Sequence, residues 1–292
     1  MKILHVYKTF YPHSKGGIET AIYSLSEHLS NLGIVSDIFV LSKQKSTINF
    51  KFFNKTTVFY NKSTFTFSSA PFSLIALSKF RELIESYDVI HYHFPNPFGD
   101  LLYLFFGRNK PSIVTYHSDI VRQKYLKYLY YPLQLYFLKN VEKIVCTSPN
   151  YLKTSSTLQK FKAKLETISI GIDTSYLQKP SIKLIQKWRK IYEKPYFLFL
   201  GVLRDYKGIN TLIEAASKVK CNIIIAGGGN NYDKYVSIAK KKKLKNLFFT
   251  NELNDHDKNA LLYNCYGFVL PSTNRAEAFG IVQLEAAFFS KP

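Results

Sequence analysis

Residues 267–289 of this 292-residue chain read GFVLPSTNRAEAFGIVQLEAAFF. A short apolar run ends at Leu270, a polar loop follows from Pro271, and apolar side chains then recur at the spacing of a helix. The segment therefore predicts a strand over 267–270, a connecting loop, and a helix near 279–289. A strand that leads into a helix is the repeating unit of parallel sheets.

The same unit recurs along most of the chain. Helical patterns separate short apolar runs, and the first of these patterns ends before Gly33, which stands where a C-terminal helix cap is expected. The predicted strands are 3–7, 38–41, 89–93, 113–116, 143–147, 166–170, 196–200, 222–226, 247–249 and 267–270. This alternation predicts an α/β fold with parallel sheets covered on both faces.

The pattern is interrupted between residues 171 and 194. That stretch contains Pro180 and a charged run at Lys187-Trp188-Arg189-Lys190, but no strand pattern. The second half stops after a helix, where an α/β sheet normally continues with another strand. We therefore expect a first domain at residues 1–175, a linker at 176–195, and a second domain at 196–292 that is incomplete through truncation.

Composition excludes several classes of protein. The net charge is +20 and 46% of the residues are hydrophobic, which is typical of a globular chain and not of a disordered one. Three widely separated cysteines without metal-ligand spacing favour a reduced, cytoplasmic setting. No apolar run approaches the roughly 20 residues of a membrane span, and the N-terminus lacks the apolar region of a signal peptide.

Two loops at predicted strand ends carry residues that suit an anion, and in open α/β sheets ligands bind beyond those ends. Gly16 and Gly17 precede a helix whose N–H groups can bind an anion, but a glycine pair is equally typical of a simple turn. Arg204 and Lys207 place two cations before another helix. Because cations there oppose the helix dipole, a diphosphate site is favoured over a solvated turn.

The third loop is the one quoted first, and it contains two glutamates. Glu277 stands where the predicted helix begins, and Glu285 lies eight positions further on. The two are therefore expected roughly 12 Å apart along the helix axis, which is too far for the paired carboxylates of a hydrolase. The spacing suits a ligand with hydroxyl groups at both ends and an anion between them, held by N–H groups near 279–281. The alternative is a helix-capping Glu277 and a solvated Glu285.

This loop resembles the E-x7-E motif of the family 4 (group 1) retaining nucleotide-sugar glycosyltransferases, which have the GT-B fold. Ala278-Phe279-Gly280, between the two glutamates, fits the family pattern. Four other segments match it in order, so that the resemblance covers essentially the whole chain: Gly16-Gly17, Asp88-Val89-Ile90-His91-Tyr92-His93, Thr115-Tyr116-His117 and Lys207-Gly208.

The resemblance implies two Rossmann-like domains that face a cleft, with the donor in the second domain and the acceptor mainly in the first. It implies catalytic roles for His117, near the reacting sugar, and for Glu277, which holds the donor sugar. It places Arg204 and Lys207 on the diphosphate and Glu285 on the ribose. The full set implied for donor binding is Gly16, Gly17, Arg204, Lys207, Ala278, Phe279, Gly280, Ile281 and Glu285.

The implied activity is transfer of a hexose from a nucleotide-sugar donor to a glycan or lipid-linked acceptor, with retention of configuration. It requires no cofactor and no metal, and it belongs to the biosynthesis of cell-surface polysaccharide such as lipopolysaccharide. The alternative is an inactive truncated fragment or pseudoenzyme that at most binds nucleotide.

Three other sequence features have simpler structural explanations. Asp255-His256-Asp257 has the form of a metal-binding D-x-D, but Asn254 or Asp255 fits a helix N-cap better. His91 and His93 share one face of a strand without a third ligand, so they do not indicate a metal; His93, at the strand end, is expected to contact the acceptor. The lysines at 240–243 are typical of a solvated helix end, and they do not predict a nucleic-acid site.

The segment 122–140 mixes lysines and tyrosines. This composition suits anionic lipid headgroups, and equally a core helix whose ends reach solvent. A membrane-docking segment would place the protein in the cytoplasm, peripheral on the inner face of the cytoplasmic membrane.

Overall fold

The computed structural model describes residues 1–14, 16–42, 48–52, 56–67, 70–121, 124–193, 195–277 and 279–292. The chain divides into two compact units, Met1–Gly171 and Ile172–Pro292, which we call the first and second unit. Ala278, predicted to bind the donor, and the first two residues of the predicted membrane segment, 122 and 123, lie outside the described residues.

The first unit is built on a sheet whose described strands run in the order β10-β9-β8-β7-β1-β2-β4-β3. Neighbours in this sheet are parallel, except that β3 runs antiparallel to β4. A separate antiparallel hairpin is formed by β5 and β6. The strands are β1 (Lys2–Val6), β2 (Val35–Ser42), β3 (Ile48–Phe52), β4 (Thr56–Lys62), β5 (Phe65–Phe67), β6 (Ala70–Phe72), β7 (Val89–Phe94), β8 (Ser112–Tyr116), β9 (Lys143–Cys146) and β10 (Leu165–Thr167).

Helices connect the parallel strands of this unit. Local chemistry sets several of their ends: the Ser73 hydroxyl accepts from the Ala76 N–H at the start of α2, and Gly33 takes a left-handed conformation (φ +78°) just after α1, as its position predicted. The helices are α1 (Gly17–Asn31), α2 (Leu74–Ile84), α3 (Pro97–Leu102), α4 (Lys124–Asn140) and α5 (Pro149–Thr154), with a π-helical turn at Tyr103–Gly107 and a 3-10 helix at Leu158–Lys164.

The second unit contains a parallel sheet of described strands in the order β13-β12-β11-β14. These strands are β11 (Tyr196–Leu200), β12 (Asn222–Ala226), β13 (Leu247–Thr250) and β14 (Gly267–Phe268). Its helices are α6 (Ile182–Ile191), α7 (Ile209–Ala216), α8 (Tyr232–Lys241), α9 (Asp255–Asn264) and α10 (Ile281–Phe288), with a 3-10 turn at Asp205–Lys207.

Both faces of the second sheet are buried, as the continuous apolar runs predicted. Leu198 and Leu200 of β11 pack into a core cluster with Leu261 of α9. Phe199, between them in the sequence, points to the other face and packs with Leu212 of α7. The predicted α/β fold with covered parallel sheets is therefore confirmed.

The last strand and helix are shorter than the sequence predicted. β14 ends at Phe268 rather than at residue 270, and α10 begins at Ile281 because Gly280 is left-handed (φ +73°) and cannot continue a helix backwards. Glu277 therefore lies in the loop, and the prediction that it stands at the start of the same helix as Glu285 was wrong. In the first unit, the strand predicted at 166–170 is Leu165–Thr167.

The predicted linker, 176–195, contains α6. Trp188 of α6 is buried in the same core cluster as Leu198 and Leu261, and its indole N–H donates to Asp257 of α9 at 2.8 Å. This helix is thus packed on the second unit.

Candidate active site

A lysine and a glutamate from two neighbouring strand ends meet in the second unit. Lys207 ends the turn after β11, and Glu277 lies in the loop after β14, which pairs with β11. The Lys207 ammonium forms an ion pair with Glu277 Oε2, and their side chains are only 12% and 14% exposed. The Ser272 hydroxyl also donates to Glu277, at 3.3 Å. The structure therefore brings together two residues that the sequence assigned to the donor site.

Glycine allows the two loops to approach this closely. Gly208, immediately after Lys207, is left-handed (φ +76°), and a Cβ atom on it would overlap the carbonyl oxygen of Pro271. The backbone N–H of Thr273 donates to the Tyr206 carbonyl at 2.8 Å. The loops after β11 and β14 are thus joined backbone to backbone, which fixes the positions of Lys207 and Glu277.

Glu285, the second glutamate of the motif, is buried on α10. Its Oε1 accepts hydrogen bonds from the Tyr176 hydroxyl and the Lys258 ammonium, each at 3.0 Å. Its Oε2 is also buried and has no partner among the described residues. A carboxylate fixed through one oxygen, with the other unused, is an acceptor for a ligand hydroxyl.

The alternative interpretation of the two glutamates is wrong. The residue that caps α10 is Gly280, not Glu277, and Glu285 is 6% exposed rather than solvated. Sequence analysis did not find Tyr176 and Lys258. Burial, followed by the nearby Glu285 carboxylate, raises the pKa of Tyr176 well above its ordinary value, so its hydroxyl stays protonated and donates.

The remaining residues predicted to bind the donor in this unit lie in different structural settings. Ile281 is the first residue of α10, so its N–H belongs to the free first turn, whereas Phe279 and Gly280 precede the helix. Ala278 lies outside the described residues. Arg204 is exposed, and its carbonyl accepts from the Lys207 N–H at 3.0 Å, so it lies one turn before the lysine.

In the first unit, the glycine pair makes room for a buried carboxylate. Gly16 stands immediately before α1, and a Cβ atom on it would come within 2.6 Å of Glu19 Oε2. Glu19 Oε1 accepts from the hydroxyls of Thr9 and Ser14 at 2.8 and 2.7 Å. Gly17 is the first residue of α1. Sequence analysis missed Glu19, which adds a negative charge at the helix end predicted to bind an anion.

His93 and His117, predicted near the acceptor and the reacting sugar, are hydrogen-bonded to each other. His93 Nδ1 and His117 Nε2 are 3.0 Å apart, and both side chains are buried. His117 follows β8, the neighbour of β7, and its backbone N–H donates to the Phe94 carbonyl. The pairing of the two strands thus brings these two sequence motifs together.

Two more histidines complete this cluster. His5 Nδ1 lies 3.0 Å from His93 Nε2, and His91 stacks on His93 with a centroid separation of 4.3 Å. Burial lowers the pKa of all four imidazoles, to about 4 for His91 and about 3 for His117. Nitrogens of His5, His91 and His93 lie within 4.8 Å of one another and could together face a metal ion. Sequence analysis placed His91 and His93 on one face and did not find His5 beside them.

The other sequence features have structural roles. Asn254 caps α9 by accepting from the Asp257 N–H, as predicted, and Asp257 accepts from Lys187 and Trp188. Lys240 and Lys241 lie in the last turn of α8, a position that suits the helix dipole.

The predicted membrane segment contains both exposed and buried side chains. On α4, Tyr128 and Leu129 are about four-fifths exposed, at 79% and 81%, whereas Gln134 is buried and donates to the Tyr116 hydroxyl. The side chains of Lys124, Tyr125 and Lys127 lie outside the described residues. Among the helices that the structure describes, none combines the length and the apolar character needed to cross a membrane.

Comparison with known protein families shows which family this chain belongs to. The pattern of Glycosyltransferase Family 4 matches residues 15–176, and that of Glycosyl transferases group 1 matches residues 181–292. The chain therefore belongs to glycosyltransferase family 4, as its motifs indicated.

Two curated relatives are similar over the whole of this chain. The O-antigen chain mannosyltransferase C of Escherichia coli is 44% identical over 292 residues, which make up 100% of this chain and 78% of the relative. The D-rhamnosyltransferase WbpZ of Pseudomonas aeruginosa is 39% identical, over 100% of this chain and 76% of its own length.

Solved structures confirm the GT-B type of fold. Sucrose-phosphate synthase from Thermosynechococcus elongatus superposes with a TM-score of 0.79 at 18% identity, covering 100% of this chain and 80% of that one. Anabaena HepE, in complex with UDP and glucose, superposes with a TM-score of 0.75 at 18% identity, covering 100% and 79%.

Proposed function

We propose that this protein transfers a manno-configured hexose from a nucleotide-sugar donor to a glycan or lipid-linked acceptor, with retention of anomeric configuration, during synthesis of a cell-surface polysaccharide. The names of the two relatives support the sugar: one is a mannosyltransferase and the other a D-rhamnosyltransferase, and D-rhamnose is 6-deoxymannose. The observation that carries the proposal is the fixed Lys207–Glu277 pair in the same unit as a buried Glu285 with one unused oxygen.

The donor is bound through three chemistries. Glu285 Oε2 accepts a ribose hydroxyl, which supplies the hydrogen bond that this buried atom lacks. The Lys207 ammonium has three donors and uses one on Glu277, so the others are available to a diphosphate oxygen. Glu277 accepts from a hydroxyl of the donor sugar, and Phe279, Gly280 and the Ile281 N–H line the phosphate.

Catalysis follows from where charge develops. The leaving nucleoside diphosphate gains negative charge as the glycosidic bond breaks, so a cation and N–H groups already aimed at it stabilise the transition state more than the bound donor. Lys207 provides that cation, and Arg204 adds a second from the exposed loop. In the first unit, His117 contacts the reacting sugar, His93 lies on the acceptor side, and Gly16 and Gly17 approach the diphosphate.

The acceptor reaches the first unit at a membrane surface. The exposed Tyr128 and Leu129 on α4 support this, because an aromatic and an aliphatic side chain that face solvent suit the headgroup region of a bilayer. In this proposal the protein is cytoplasmic and peripheral.

The test is turnover by the full chain. Nucleotide sugars carrying mannose or D-rhamnose are incubated with a lipid-linked glycan, and released nucleoside diphosphate and glycosylated product are measured. The proposal expects product whose anomeric configuration, read by NMR, matches the donor, and Glu277→Gln is expected to abolish transfer. Product of inverted configuration overturns retention. Nucleotide binding without any turnover would establish the alternative, a pseudoenzyme or inactive fragment.

A further inference from the structure

Four buried side chains, those of Ser36, His5, His93 and His117, form a continuous row of hydrogen bonds across the sheet of the first unit, which we call the file. Ser36 Oγ lies 3.0 Å from His5 Nε2, His5 Nδ1 lies 3.0 Å from His93 Nε2, and His93 Nδ1 lies 3.0 Å from His117 Nε2. Ser36 is completely buried, and His117, the most exposed of the four, is 6% exposed.

The register of the strands explains why the file runs obliquely towards one edge of the sheet. Ser36 of β2 pairs with Ile3, two residues before His5 on β1. His5 in turn pairs with His91, two residues before His93 on β7. His93 pairs with Thr115, two residues before His117. Side chains two residues apart share a face of the sheet, so each step to the next strand also moves the file towards the carboxyl edge, where ligands of open α/β sheets bind.

The hydrogen atoms of the file follow from counting donors and acceptors. Burial lowers the pKa of His5, His93 and His117, so each ring is neutral and carries one N–H. Within the described ranges, the Ser36 hydroxyl has no hydrogen-bond partner other than His5 Nε2. If His5 donated through Nε2, the buried Ser36 proton would have no acceptor, which is the costly arrangement.

The satisfied arrangement therefore begins with the Ser36 O–H donating to His5 Nε2. His5 must then carry its hydrogen on Nδ1 and donate it to His93 Nε2, and His93 must donate from Nδ1 to His117 Nε2. His117 is left with its hydrogen on Nδ1, an atom without a partner in the part of the chain that the structure describes. Every link depends on the one before it, because a neutral imidazole cannot donate from both nitrogens.

We propose that Ser36 and His5 are positioning residues that fix the tautomer of His117, so that His117 presents an Nδ1–H donor at the carboxyl edge of the sheet. A neutral N–H donor at this position binds an acceptor oxygen of a ligand and does not act as a general base. That this oxygen belongs to a sugar substrate rests on the proposed function; the tautomer itself does not.

The experiment is long-range ¹H–¹⁵N correlation NMR of the full chain labelled with ¹⁵N-histidine, at neutral pH and without ligand, because the ¹⁵N shift separates an N–H nitrogen from one bearing a lone pair. His28 is the internal reference: its Nδ1 lies 2.7 Å from the Ser24 carbonyl oxygen, which only accepts, so it is an Nδ1–H ring. The wild type is expected to show Nδ1–H rings at His5, His93 and His117. Nε2–H at His117, or an equal mixture of tautomers, overturns the proposal.

Ser36→Ala tests the origin of the bias. Without the hydroxyl, nothing selects one direction, and His93 and His117 are expected to show both tautomers while the His28 signal is unchanged. A single Nδ1–H form at His117 in Ser36→Ala would refute the positioning role. If the variant does not fold, the wild-type spectrum still decides the tautomer. The spectra require no turnover, so a failure here is distinct from a failure to transfer sugar.

Discussion

Acidification should unfold this protein over a narrow pH range because of the buried histidines. In the folded chain the pKa of His5, His91, His93 and His117 lies below the ordinary value of 6.5, since burial disfavours the charged ring. Unfolding exposes four imidazoles that take up protons once the pH falls below about 6.5. The unfolded state then binds more protons than the folded state, so the free energy of unfolding falls as the pH falls.

Among the described carboxyl groups, that of Asp100 acts in the opposite direction. Burial raises the pKa of Asp100 well above 3.8, so the folded state holds a proton there that the unfolded state releases. The net uptake on unfolding is therefore up to three protons, and each changes the unfolding equilibrium about tenfold per pH unit, or about 4 kcal/mol together. Because a domain is typically stable by about 5–15 kcal/mol, two pH units remove most of this stability.

Urea unfolding followed by circular dichroism, at half-unit steps from pH 8 to 4.5, measures this slope. The free energy of unfolding should be nearly constant above pH 7.5 and fall steeply below pH 6.5. His91→Leu should reduce by one the number of protons taken up on unfolding, whatever stability the variant loses at pH 8. A stability that is flat or that rises between pH 6.5 and 5 would refute the buried, neutral cluster.

Three further substitutions test the second unit and its loops. Gly208→Ala should destabilise the protein by clearly more than Gly33→Ala, as measured by urea unfolding. Both glycines have a left-handed backbone (φ +76° and +78°), so the backbone strain of the two substitutions is matched. A Cβ atom at position 208 meets the Pro271 carbonyl, whereas nothing lies within 4 Å of a Cβ atom at position 33. Tyr176→Phe removes one donor to Glu285 and should weaken nucleoside diphosphate binding several-fold in a calorimetric titration, with about 1 kcal/mol lost from stability; unchanged affinity would contradict the role of Glu285. Asn254→Ala should cost about 1 kcal/mol through loss of the α9 cap and leave nucleotide affinity unchanged, so a large loss of affinity would mean that this loop does more than begin a helix.

Local sequence predicted the elements of the fold because their signals are local. The apolar runs located the second-unit strands within a residue or two, and Gly33 and Asn254 marked helix ends through their own backbone or side-chain chemistry. The start of α10 was predicted too early because Phe279 fits the apolar spacing of the helix. Gly280 adopts a left-handed conformation, and apolar spacing carries no information about that.

The site was only partly predictable because its contacts join distant segments. Lys207 and Glu277 were found separately, but their ion pair depends on β14 lying beside β11. Tyr176 reaches Glu285 across 109 positions, with no local signal at either residue. His5 joins His93 because β1 lies between β2 and β7, an order that periodicity does not encode.

The central claim, that Lys207 binds the diphosphate of the donor, is tested most directly by calorimetric titration of nucleoside diphosphates into the full chain and two matched variants. Lys207→Met and Lys242→Met each remove one positive charge and one ion pair, since Lys242 pairs with Glu214 at 2.9 Å on the surface. A charge-assisted hydrogen bond contributes about 1.5–3 kcal/mol, so Lys207→Met should weaken binding roughly 10- to 150-fold. Lys242→Met should change it less than about twofold, because an exposed charge is screened by solvent and salt. Equal affinities in the two variants would contradict the account.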